Sequence, residues 1–109
     1  MSKQLNFDYK GTKYTLEYTR RTVEQMEKAG FVAEDIKTKP MLMLPQLFAG
    51  AFLAHHRFVK GEVIDEIYSK MTNKGELIGK LAEMYNEPIL ALIDEPAESS
   101  ENLTSTQSW

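Results

Sequence analysis

The chain has 109 residues, enough for one small domain with a core and too few for two. Hydrophobic residues make up 42% and charged residues 27%, which argues against global disorder, and a formal charge of −3 leaves no basic surplus to neutralise nucleic-acid phosphates. Cysteine is absent, which excludes disulfides, thiolate metal sites and cysteine nucleophiles.

Residues Met1 to Gln4 lead straight into alternating residues, with none of the apolar stretch a signal peptide needs. Leu5, Phe7 and Tyr9 alternate with Asn6, Asp8 and Lys10, and after Gly11-Thr12 the pattern resumes with Tyr14, Leu16 and Tyr18. Period two on both sides of a glycine pair predicts a β-hairpin over 4–18. Gly11 in the first turn position suits a type II′ turn, which pairs Tyr9 with Tyr14, Phe7 with Leu16 and Leu5 with Tyr18. All six then share one face. Two strands alone are marginal, so helices must cover that face.

Thr19 or Thr22 can cap a helix over about 20–29; Thr22-Val23-Glu24-Gln25 reads as a capping box, Glu24 pairs with Lys28, and Gly30 suits the position after the C-cap. Phe31 to Lys39 is a connector with a helical turn around Ala33 to Ile36. A central helix is expected over about 41–59, with Leu44, Leu47, Phe48, Ala51, Phe52, His55, Phe58 and Val59 on its core face. Pro45 is tolerated in a first turn and kinks the helix elsewhere. The uncharged run from Pro40 to His56, broken by Pro45, Gln46 and Gly50, falls short of the roughly 20 apolar residues that span a membrane. A third helix is expected over about 62–71 on Val63, Ile64, Ile67 and Met71. Thr72 or Asn73 caps a fourth over 73–85, on Leu77, Ile78, Leu81, Met84 and Tyr85. Asn86-Glu87-Pro88 predicts a break and a last short helix over 87–94. From Glu95 the chain turns acidic and Ser-rich, which predicts a disordered tail over 95–109 that folding does not need, with Trp109 in solvent. The expected fold is therefore α+β and mainly α. An N-terminal β-hairpin packs on a small bundle of four to five helices in one domain, 1–94, with a disordered C-terminal tail.

Little in the chain points to chemistry. His55 and His56 are adjacent, so on a helix they diverge by about 100° and cannot chelate one ion; His55 is expected on the core face and His56 near the surface. Glu62, Asp65 and Glu66 read as a solvated helix face, with Lys70 one turn on. The glycines are scattered singly, so there is no phosphate loop. No catalytic, cofactor-binding or metal-ligating residue is assigned, and the chain reads as a non-enzyme with no cofactor.

The central helix carries a second stripe. Leu42, Gln46, Ala49, Leu53 and Arg57 recur at helical spacing opposite the core face, with Gly50 beside them. Either the short helix after Pro88 or the connector around Phe31 covers this stripe, or it meets a client helix or a second copy of the chain. Met41 and Met43, at the head of the same helix, are either core filling or an adaptable binding surface.

The hairpin "LNFDYKGTKYTLEYT", the run "RRTVEQMEKAGF", and the later "FLAHHRFVKGEVIDEIYSKM" and "LIGKLAEMYNEPILALIDEP" together resemble the tail assembly chaperones of long-tailed phages and prophages of Gram-positive hosts. The likeness covers about residues 4–96 and lies in structural motifs, not catalytic ones. It implies a protein of the host bacterial cytoplasm that coats the helical tape measure protein, recruits tail tube protein and is absent from the mature virion. It also implies a longer frameshifted product in many family members, to which a polar tail would be the linker. The family has no fixed contact motif, so no residue is carried over by position. A structural or adaptor subunit of the virion, such as a tail or head-tail completion protein, is the alternative; an antitoxin-like regulator is disfavoured by the missing basic patch.

Overall fold

The structure is a computed structural model and describes residues 3–93. The expected tail, its Trp109 and the last residue of the expected final helix lie outside the described residues. Two antiparallel strands, β1 (Gln4–Tyr9) and β2 (Thr12–Glu17), open the chain. Four α-helices follow: α1 (Arg20–Lys28), α2 (Pro40–Gly50), α3 (Gly61–Lys70) and α4 (Lys74–Ile93), with a 3-10 turn at Ala33–Ile36 before α2. Helix α2 is the hub, packed against α1, α3, α4 and the 3-10 turn. This is the expected mainly-α fold with an N-terminal hairpin.

The hairpin turns one step earlier than expected. Its register pairs Leu5 with Leu16, Phe7 with Tyr14 and Tyr9 with Thr12, so Lys10 and Gly11 form the turn. Both have positive φ, 49° and 82°, which is the type I′ and not the type II′ conformation. The two registers keep the same side chains on the same face, so alternation alone does not separate them. Ring stacking does: Phe7 and Tyr14 lie 5.4 Å apart. The early turn also brings the Tyr9 hydroxyl to 2.5 Å and the Lys10 ammonium to 2.9 Å from the Glu66 carboxylate on α3. Glu66 thus serves the hairpin. The Tyr9 hydroxyl first, then Lys10, holds its carboxyl below the usual carboxylate range.

Helix α1 is capped by Thr19, not Thr22. The Thr19 hydroxyl accepts from the Thr22 N–H, and the Thr22 hydroxyl accepts from the Thr19 N–H at 2.8 Å, a reciprocal box. At the other end Gly30 takes φ 103°; its N–H donates to the Glu27 carbonyl and the Phe31 N–H to the Met26 carbonyl. That is a Schellman close, with Phe31 and Met26 both buried as its apolar pair. The Glu24–Lys28 pair forms at 3.5 Å on the outside.

Helix α2 runs from Pro40 and ends at Gly50, nine residues short of the expected end. Pro45 sits beyond the first turn; the N–H it lacks would have served the carbonyl of Met41, a residue 88% exposed, where water can take its place. The early end comes from carbonyls that find other partners. The Ala51 N–H turns to Phe48, and the buried Tyr18 hydroxyl donates to the Leu47 carbonyl at 2.5 Å. The Ala51 carbonyl accepts from the Glu17 N–H of β2 at 3.0 Å. Residues 51–60 therefore continue as turns. Ala51 and Phe52 are buried and Val59 packs on the core as expected, but Phe58 is 93% exposed, His55 is exposed and His56 is half-buried. Burial pushes the Tyr18 phenol up and keeps it a donor. Tyr18→Phe is expected to cost about 1–2 kcal/mol, because it leaves a buried carbonyl unpaired without changing shape. Urea melts of the two proteins measure it.

The expected break at Asn86-Glu87-Pro88 is absent, and α4 runs through Pro88 as one helix. Lys3 spans the preceding turn, its ammonium on Glu83 and its N–H on Glu87, each at 3.0 Å. Ile89, just past the proline, packs on the core. These contacts offset the one backbone bond that proline cannot make. Asn73, with φ 53°, turns the chain between α3 and α4, and its carbonyl accepts the Leu77 N–H.

Candidate interaction surface

The buried core draws Tyr14, Leu16 and Tyr18 from the hairpin, Val23 and Met26 from α1, Leu47 and Phe48 from α2, Ile64 and Ile67 from α3, and Leu81, Met84 and Tyr85 from α4. Phe48 and Phe52 contact edge to face at 5.2 Å, and Tyr85 does so with Tyr18 and Phe31. Side chains left outside this core are the candidates for contact with a partner.

The expected stripe does not survive as one helical line, because α2 stops before Leu53 and Arg57. Met41 and Leu42 project from the first turn of α2, 88% and 60% exposed. Met43 is buried and belongs to the core. Gln46 and Ala49 are half-buried, and Ala49 packs on the core. Leu53 is half-buried against the core and Arg57 is exposed, both in the turns after α2. The room beside Gly50 is filled by the Met26 side chain of α1, into which any Cβ at position 50 would run.

Other exposed apolar residues were not expected at the surface. Among the described residues Phe58, expected on the core face, is the most exposed large apolar residue, and Leu90, Leu92 and Ile93 are 52%, 58% and 68% exposed at the end of α4. The run "ILALI" carried the signal for the last three, since consecutive apolar residues surround a helix and cannot all face one core. Beside them a groove of about 330 Å³ lies between α1 and α4, floored by Val23, Pro88, Ile89 and Leu92 and rimmed by Arg20, Glu24 and Glu27.

Polar groups converge at the β2 edge. The Thr15 N–H donates to His56 Nε2 at 2.9 Å, and His55 Nε2 lies 2.6 Å from the Glu17 carboxylate. Burial, then the neighbouring His55, pushes the His56 imidazole below its ordinary value. Among the described residues, no three His, Cys, Asp or Glu side chains gather where they could hold a metal ion, and no helix is long and apolar enough to cross a membrane.

What the fold and surface define is a small α+β domain whose distinctive exposed features are apolar. The chain belongs to the family described as a domain of unknown function, DUF5055, whose profile matches residues 1–109. No curated protein and no solved structure shows significant similarity to it.

Proposed function

We propose that the chain is a non-enzymatic tail assembly chaperone of a long-tailed phage or prophage, acting in the host cytoplasm by binding the tape measure protein and supporting assembly of the tail tube protein. The sequence resemblance supports this reading. The observation that carries it on the molecule is helix α2, which has no charged residue and leaves Met41 and Leu42 in solvent at its head. Unbranched thioether and leucine side chains adapt to the apolar face of a helical client.

The test is co-purification with a tape measure protein. Leu42→Asp, at an exposed position, is expected to keep the circular dichroism spectrum and melting point of the parent while weakening client capture about tenfold or more, the effect of removing an apolar anchor worth over 1 kcal/mol. Capture at parental strength by both Leu42→Asp and Met41→Asp would remove α2 from the interface. Mass spectrometry of purified particles separates the chaperone from the virion-subunit alternative: a chaperone is missing from the finished particle, and a tail or head-tail completion protein is present.

A further inference from the structure

The outer edge of β2 is covered from Thr15 to Glu17. The segment after α2 covers it through two bonds, from the Glu17 N–H to the Ala51 carbonyl at 3.0 Å and from the Thr15 N–H to His56 Nε2 at 2.9 Å. Cover of this kind keeps a strand edge from pairing with other chains. The two bonds differ in chemistry. A carbonyl accepts at any pH. An imidazole nitrogen accepts only while it holds a lone pair, so His56 is neutral here, with its proton on Nδ1. A second proton can enter only at Nε2, where it would set a donor against the Thr15 donor.

We propose that His56 is a pH-sensitive latch on the hairpin: neutral, it holds the segment 51–60 against the outer edge of β2 through the Thr15 N–H; protonated, it releases that N–H and opens the edge. The groups facing the ring are few. From β2 come Thr15 and the Tyr14 ring, edge to face at 5.1 Å. From its own segment come the Phe52 ring at 6.2 Å and the His55 ring at 6.4 Å. Glu17 is engaged by His55. Acid loosens the Thr15 bond while the Glu17 N–H keeps its bond to the Ala51 carbonyl, so the opening is confined to the Thr15 end.

The sign follows from the depressed value. The folded protein binds this proton more weakly than the unfolded chain, whose imidazole titrates near 6.5. Above that pH the latch is fully closed. Its contribution is lost as pH falls through the lower folded value.

The experiment is amide and imidazole NMR on the full chain from about pH 8 to about pH 5. The Thr15 amide proton is expected to move upfield with the same midpoint as the His56 ring protons. Its exchange protection should fall about tenfold per pH unit below that midpoint, in step with the neutral fraction of the ring. In His56→Gln the side-chain carbonyl accepts at every pH, so the Thr15 amide should stop titrating; in His55→Gln it should still titrate, with its midpoint moved up because the neighbouring imidazole is gone. A Thr15 amide that stays fixed while His56 titrates in the parent protein would overturn the latch, and so would an unchanged Thr15 titration in His56→Gln. The parent titration decides by itself if the glutamine variant does not fold.

Discussion

Phe52→Ala is expected to cost about 3–5 kcal/mol, the usual penalty for emptying a buried aromatic site. Phe52 is 1% exposed and stands where three parts of the fold meet. Its ring contacts Phe48 of α2 at 5.2 Å and Tyr14 of β2 at 5.7 Å, and it flanks the His56 ring that holds the strand edge. The position follows the end of α2, in turns that cannot close around a void as a sliding helix can. A domain of this size has about 5–15 kcal/mol to lose, so the variant sits close to its unfolding threshold. At about 4–8 °C per kcal/mol its melting point should fall by more than about 12 °C. A loss under about 1.5 kcal/mol in urea would mean that the hairpin and the helices are not joined through this ring.

Gly11→Val is expected to cost about 1–3 kcal/mol, and the reason is confined to the backbone. Gly11 has φ 82°, yet a Cβ placed there meets no atom within 4 Å. The Cβ itself is not crowded, and the penalty arises from the strain of a β-branched residue at positive φ. Gly11→Asn should lose less, since asparagine tolerates that region. Lys10 already occupies the other left-handed position at φ 49°, held by its bond to Glu66. A valine variant as stable as its parent, in chemical denaturation, would show that the hairpin turns through another conformation.

These two residues illustrate what could be read in advance. Strand alternation placed Leu5, Phe7, Tyr14, Leu16 and Tyr18 on one inward face, and the structure keeps all of them against the core. The face survived although the turn moved, because a shift that preserves parity preserves the face. Lysine does not announce a left-handed conformation as asparagine does, so Lys10-Gly11 was not legible as a type I′ turn. Gly30 was legible, since only a residue free to take positive φ closes a helix that way. Among the exposed apolar residues, Leu42 was legible from its helical spacing opposite the core face and Met41 as a methionine at the head of the helix. Phe58 was assigned to the core only by extending a helical phase through His55 and His56, where no helix exists.

The local pattern of apolar residues, by itself, determined that this chain makes a hairpin and then helices, and which sides of α1, α3 and the first part of α4 are buried. Those are short-range properties, set by side-chain period and by capping residues next to the element they cap. Where α2 ends and whether α4 breaks were decided by contacts distant in sequence. Tyr18 captures the Leu47 carbonyl across 29 positions, and the Glu17 N–H captures that of Ala51, so α2 loses the bonds that would have carried it onward. Lys3 reaches 80 positions to Glu83 and 84 to Glu87, and bridges the turn of α4 that leads into a proline the local sequence marks as a boundary. A helix end is a competition for backbone hydrogen-bonding groups, and a competitor brought in by the tertiary fold has no signature in the neighbouring residues.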